Sequence, residues 1–187
     1  YSDGTNWLKI SATPVVLSSV SGDIVNGVAT NLTLAGTGFL SAGLVVSFTP
    51  SGGSASTVTV TPTSDTAATV AVPSAIYGQS ASTVISIFVT NNDSMVSTTT
   101  NKTVVAAPSG GTISTSGGER IHVFNSSGTF VNTVALTNIA YLVIAGGGGG
   151  GVANGGGGGG GAGGYRNSFA SETSGRNSST ESKVSSL

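Results

Sequence analysis

The chain has 187 residues and a net charge of -1, and only 7% of its residues are charged. Six Lys and Arg against seven acids give no basic footprint for nucleic acid, and the absence of Cys excludes disulfides and thiolate chemistry. One His and seven scattered carboxylates are too few to spell out a metal cluster or an acid–base pair, and no apolar run approaches the ~20 residues of a membrane helix.

Residues 1–13 (YSDGTNWLKISAT) read as a connecting segment with a turn at Asp3-Gly4. From residue 14 onward, helix signals are almost absent. Val, Thr, Ser, Gly and Asn dominate, and these favour strands and turns over helices. Seven strands are expected in residues 14–107: Val15–Val20, Ala29–Ala35, Leu44–Thr49, Ser56–Thr61, Ala67–Val72, Thr83–Thr90 and Met95–Val105. Several alternate strictly. Leu32 and Leu34 are interleaved with Asn31 and Thr33, and Ile85, Ile87 and Val89 share one face of their strand. A period of two means that one face of each strand is buried. Seven short strands in such a length, with regular turn signals, predict an all-β domain of the Ig-like sandwich type. Asp23, Asp65 and Asp93 fall in Gly-, Ser- and Asn-rich turns and suit turn capping rather than Ca²⁺ binding.

Residues 108–145 are expected to form a short β-strand unit. Its strands are Ile113–Thr115, Glu119–Asn125, Gly128–Val134 and Asn138–Ala145. Asn125-Ser126-Ser127-Gly128 suggests a hairpin turn joining RIHVF to TFVNTV. Alternation puts His122 on one face with Arg120 and Phe124, where it reads as an ordinary strand histidine; a metal on a threefold axis is the other reading.

Composition then changes abruptly. Of the 19 residues from Gly146 to Gly164, 15 are Gly. Leu142-Val143-Ile144-Ala145 followed by Gly146, Gly148 and Gly151 satisfies the spacing of a dinucleotide fingerprint. That fingerprint requires a helix whose N-terminus holds the pyrophosphate, and more glycines follow instead, so no cofactor is expected. The runs have two physical readings. One is a flexible linker; the other is a set of extended segments with three residues per turn, packed where no side chain fits. Residues 165–187 are polar, and the last six resemble the start of a strand. With Tyr rather than Met at position 1, these ends suggest a piece of a longer polypeptide.

Two resemblances add to this reading. Pro14-Val15-Val16, the Leu32–Phe39 block with its Gly36-Thr37-Gly38-Phe39 turn, and the series through Thr57–Pro73 and Ile85–Asn91 resemble the IPT/TIG group of Ig-like domains. Gly117–Phe124, Tyr141–Gly146, the Gly runs and Ala162-Gly163-Gly164-Tyr165-Arg166 resemble a Gly-rich module of tail fibres of bacterial viruses, especially marine and cyanobacterial ones. The opening YSDGTNW is similar to segments of the same proteins. This resemblance implies a non-enzymatic virion protein, part of a fibre or appendage used in host attachment. Its implied partners are copies of itself, with a trimer favoured, other virion proteins, and a host surface glycan or protein. A capsid or neck decoration, or a bacterial surface adhesin, is the alternative. The resemblance also favours an ordered, polyglycine-II-like arrangement of the Gly runs, within a region 146–187 made of the Gly-rich module and a polar tail. Trp7, Tyr165, Arg166 and Phe169 are the candidate contact residues, because aromatic and Arg side chains are common at recognition surfaces.

Overall fold

The computed structural model describes residues 14–151, 157–169, 172–174 and 180–187. Trp7 and the expected turn at Asp3-Gly4 lie outside them. The described residues form an all-β protein with one short helix. The chain divides into two compact units, Tyr1–Val134 and Ala135–Leu187, so that the strands expected over 108–145 are shared between them.

The first unit contains β1 (Val16–Ser21), β2 (Ile24–Val25), β3 (Asn31–Thr37), β4 (Leu44–Pro50), β5 (Ser56–Val60), β6 (Ala67–Ala71), α1 (Ser74–Tyr77), β7 (Val84–Asn91) and β8 (Thr100–Val105). The order β1-β3-β6 makes an antiparallel sheet. A second sheet runs β2-β8-β7-β4-β5, antiparallel except for the short β2–β8 pair. Register follows the apolar alternation. Val46 lies opposite Val58 on one side and Val89 on the other, and Phe48 opposite Ile87. A one-residue slip would turn these side chains to the other face, so burial pins the register. One core takes Leu17, Leu32, Leu34 and Val70 from the first sheet and Leu44, Val46, Phe48, Ile85, Ile87, Val89 and Val104 from the second.

Local chemistry fixes the connections. A Cβ on Gly36 would stand 1.9 Å from the Val16 carbonyl oxygen and 2.7 Å from the Phe39 ring, so only Gly allows β1 and the buried Phe39 so close. The buried Asn91 side chain locks the same turn. Its Nδ2 donates to the Gly38 carbonyl at 2.7 Å, and its Oδ1 accepts from the Leu40 N–H at 3.2 Å. The single-turn α1 was not expected. Pro73 at its start supplies a fixed φ of -62°, and the turn carries Ile76 into the core. The Met95–Val105 run shortens to β8, because Ser94 is left-handed and the chain after it makes only an isolated bridge to Thr90.

The hairpin expected around Asn125–Gly128 does not form there. Instead β9 (Thr112–Ser116) pairs with β10 (Glu119–Val123) across Gly117-Gly118. Both glycines have positive φ, 60° and 83°, the requirement of a two-residue turn that matches strand twist. Residues 128–134 contribute one isolated bridge, Ser109 to Val131.

The second unit holds β11 (Thr137–Ile139), β12 (Leu142–Ile144), β13 (Tyr165–Asn167) and β14 (Val184–Ser186). The run Asn138–Ala145 is therefore two strands rather than one. Asn138 takes a left-handed φ of 56°, and the halves pair separately: β11 with β14, β12 with β13.

Candidate functional site

The glycine segment grows directly out of the β12–β13 pair. Leu142 pairs with Asn167, Val143 with Arg166 and Ile144 with Tyr165. Beyond them, the Ala145 N–H donates to the Gly164 carbonyl at 2.8 Å. Gly148 then donates to Gly161 at 3.0 Å and Gly151 to Gly158 at 3.0 Å. The antiparallel register is kept throughout, but the bonds now recur every three residues on both segments. An antiparallel β ladder repeats every two. Three is the repeat of a polyproline-II segment.

Steric demand has the same period. A Cβ on Gly157, Gly160 or Gly163 would lie 2.1, 1.8 or 1.8 Å from the carbonyl oxygen of Gly151, Gly148 or Ala145. These three positions cannot carry a side chain in this arrangement. At Gly146, Gly149, Gly158, Gly159 and Gly161 no atom of the described residues lies within 4 Å of a Cβ. Ala162 stands three residues from the open Gly159, in the phase that tolerates a methyl group.

A polar set anchors the base of this ribbon. Arg166 Nε donates to Glu181 Oε1 at 2.9 Å, and the Tyr141 hydroxyl donates to Glu181 Oε2. Glu181 is also hydrogen-bonded by the buried Ser174. The Arg166 bond, with those from Ser174 and Tyr141, lowers the Glu181 carboxyl to about 2. The Glu181 bond in turn raises the Tyr141 hydroxyl. Asn167 is buried. Its N–H donates to Ser174 Oγ at 3.0 Å, and its Oδ1 accepts from the Phe169 N–H at 2.9 Å. Tyr141 and Ser168 bond each other twice, through Tyr141 N–H to Ser168 Oγ and Ser168 N–H to the Tyr141 carbonyl, both at 3.0 Å. Chemically this set is an ion pair and hydrogen bonds that fix backbone segments far apart in sequence.

The expected contact residues are thus distributed. Tyr165 and Arg166 are successive residues of β13 and point to opposite faces. The Tyr165 hydroxyl donates to Glu172 Oε2 at 3.3 Å and accepts from Asn167 Nδ2 at 3.1 Å; burial raises its pKa, with Glu172 second. Arg166 is engaged by Glu181, and Phe169 stands 60% exposed. Tyr141, Asn167, Ser174 and Glu181 escape sequence reasoning: Glu181 is 15 residues from Arg166 and 40 from Tyr141, and no motif links them. Of the turn aspartates, Asp93 Oδ1 accepts from the Met95 N–H at 3.1 Å, and the Asp65 carbonyl accepts from the Phe39 N–H at 2.9 Å.

Among the described residues, no group of three or more His, Cys, Asp or Glu could hold a metal ion, and no helix is long and apolar enough to cross a membrane. Comparison with protein-family models, curated proteins and solved structures finds no match to this chain.

Proposed function

We propose that the chain is a non-enzymatic structural protein of a tailed bacterial virus, carried on the virion in a fibre or other appendage that takes part in host attachment. The observation that carries this reading is the glycine ribbon. Its three-residue repeat favours an ordered, polyglycine-II-like pair over a flexible linker, and an ordered Gly module is what the fibre resemblance implies. The two sheets around one core support an Ig-like sandwich over 14–107 as the mounting domain.

Self-association, a trimer in this reading, is supported by the base of the ribbon. Leu142, Val143 and Ile144 are 58%, 56% and 70% exposed, so both faces of a two-stranded element carry bare aliphatic groups. Such an element is marginal by itself and gains from a covering partner. Within the resemblance, neutral surfaces favour contacts with virion proteins, or with a host glycan or protein, over nucleic acid.

The test is retention of labelled, purified chain on a panel of marine and cyanobacterial cells. The wild type is expected to bind at least one strain. A Gly157→Ala/Gly160→Ala/Gly163→Ala variant, whose first unit still melts cooperatively, is expected to weaken that binding, because opening the ribbon removes the self-association that multiplies weak contacts. Retention by no strain, from protein shown to be folded, would shift the reading to a capsid or neck decoration.

A further inference from the structure

We infer that the hollow at the end of the β9–β10 hairpin is a binding site for an uncharged sugar unit. The inference deepens the attachment reading and rests on it only for the biological source of the sugar; the chemistry stands on the hollow. The turn that was expected to make a hairpin, Asn125-Ser126-Ser127-Gly128, instead forms one wall of a cavity of about 290 Å³, with Gly111 and Thr112 opposite. That volume is at the small end of the range for small-molecule sites, the scale of one sugar ring rather than a peptide or a large cofactor.

The walls are held in place from behind. His122 Nδ1 donates to the Gly110 carbonyl at 2.8 Å, which sets the tautomer with the proton on Nδ1. The Phe130 ring packs edge-on against His122 at 5.0 Å. Ser109 and Val131 exchange two backbone hydrogen bonds, at 3.0 and 2.9 Å. His122, a hydrogen-bonded strand histidine, is a positioning residue for the loop.

Inside, the chemistry is that of a polyol site. The Phe124 ring is 40% exposed, although it belongs to the most apolar class of side chain. Gly111 and Gly128 flank it, and a Cβ on either would come within 3.3 or 3.0 Å of a ring carbon. Glycine at these positions therefore leaves room for the ring at the wall of the hollow. An aromatic face is electron-rich and attracts the polarised C–H groups of a sugar ring. Around it, the side chains of Thr112, Asn125, Ser126 and Ser127 make no hydrogen bond to any described residue, which leaves hydroxyl and amide groups of both donor and acceptor type for a ligand. No lining residue is charged, and no Asp, Glu, Lys or Arg occurs between Arg120 and Arg166. A phosphate, a sialic acid or an acidic peptide would find no cation in the lining to pair with, whereas a neutral sugar needs none.

The test is a titration of the ¹⁵N-labelled whole chain with methyl glycosides of glucose, galactose, mannose and N-acetylglucosamine, followed by amide shifts. At least one is expected to bind with Kd on the order of millimolar and to move the amides of Gly111, Thr112 and Phe124–Gly128. Phe124→Ala is expected to weaken it about tenfold. Asn125→Asp, a surface change that leaves the hairpin intact, is expected to weaken it severalfold, while Phe169→Ala leaves it unchanged. No shift with any of the four, or shifts confined to the Ala135–Leu187 unit, overturns the site. Binding at the hollow without cell retention keeps the site and defeats the attachment reading. Cell retention with no sugar shift at the hollow does the reverse.

Discussion

At the scale of single residues, the glycines of the ribbon are not equivalent, and that makes its order testable. Gly160→Ala places a methyl group 1.8 Å from the Gly148 oxygen, whereas Gly159→Ala meets nothing within 4 Å. The first should open the ribbon. The second should be neutral or slightly stabilising, because replacing Gly restricts the unfolded chain by about 0.4–1 kcal/mol. Amide hydrogen exchange at Ala145, Gly148 and Gly151 reads the difference, and equal exchange in both variants would return the segment to the flexible-linker reading. Glu181 supplies a second test at this scale. Its carboxyl is lowered from 4.5 to about 2 when folded, so the unfolded chain takes up the proton first. Its contribution is therefore complete above about pH 4.5 and is lost as pH falls toward 2. Thermal melts of wild type and Glu181→Gln should differ at pH 7 and converge near pH 2. A difference that persists at pH 2 would mean that the Arg166 and Tyr141 contacts are not what Glu181 contributes. Only Arg166 of this set was legible in the sequence, because a Glu in a polar tail carries no period and its partners are brought to it only by pairing of β13 and β14 with strands far upstream.

Among the elements, legibility tracked burial. β3, β4 and β7 announce themselves because each sends an apolar residue into one core at every second position: Leu32 and Leu34; Leu44, Val46 and Phe48; Ile85, Ile87 and Val89. Ile87→Ala should accordingly cost about 2–5 kcal/mol, the range for emptying a buried aliphatic site, measured by denaturant unfolding of the first unit. A loss well under 1 kcal/mol would contradict the shared core. Aliphatic runs without a single buried face were less informative. Asn138–Ala145 reads as one continuous strand, yet it is interrupted between Ile139 and Leu142, and its second half is exposed. The misplaced hairpin has a related cause. Asn125–Gly128 and Ser116–Glu119 both contain turn residues, but only Gly117-Gly118 offers two adjacent positions free to take positive φ, and it captures the pairing. β2 and α1 are too short to show a period at all.

At the scale of the whole molecule, charge patterning and exposure point the same way. Residues 121–165 contain no charged side chain, and the aliphatic triplet of β12 lies within them. Identical charged surfaces repel; an uncharged one does not oppose a copy of itself. Among the described residues, the open positions Gly146, Gly149, Gly158, Gly159 and Gly161 have no steric reason to lack side chains, but a second backbone approaching at hydrogen-bonding distance would give them one. The proposed assembly through the aliphatic face and open glycines of this ribbon should therefore be only weakly sensitive to salt, since the charges at its base, Arg166 and Glu181, are already paired with each other. Light scattering of the whole chain should return a multimer at both low salt and ~1 M salt, where the screening length falls to ~3 Å. Val143→Glu would set like charges against one another on desolvated surface and should release monomers whose first unit melts as in the wild type. A wild-type monomer at all concentrations, or a multimer that salt dissolves, would place the oligomer contact elsewhere or remove it. Gly159→Ala then separates the two roles of glycine: silent for exchange in an isolated chain, it should weaken the multimer if a neighbouring backbone occupies that open face.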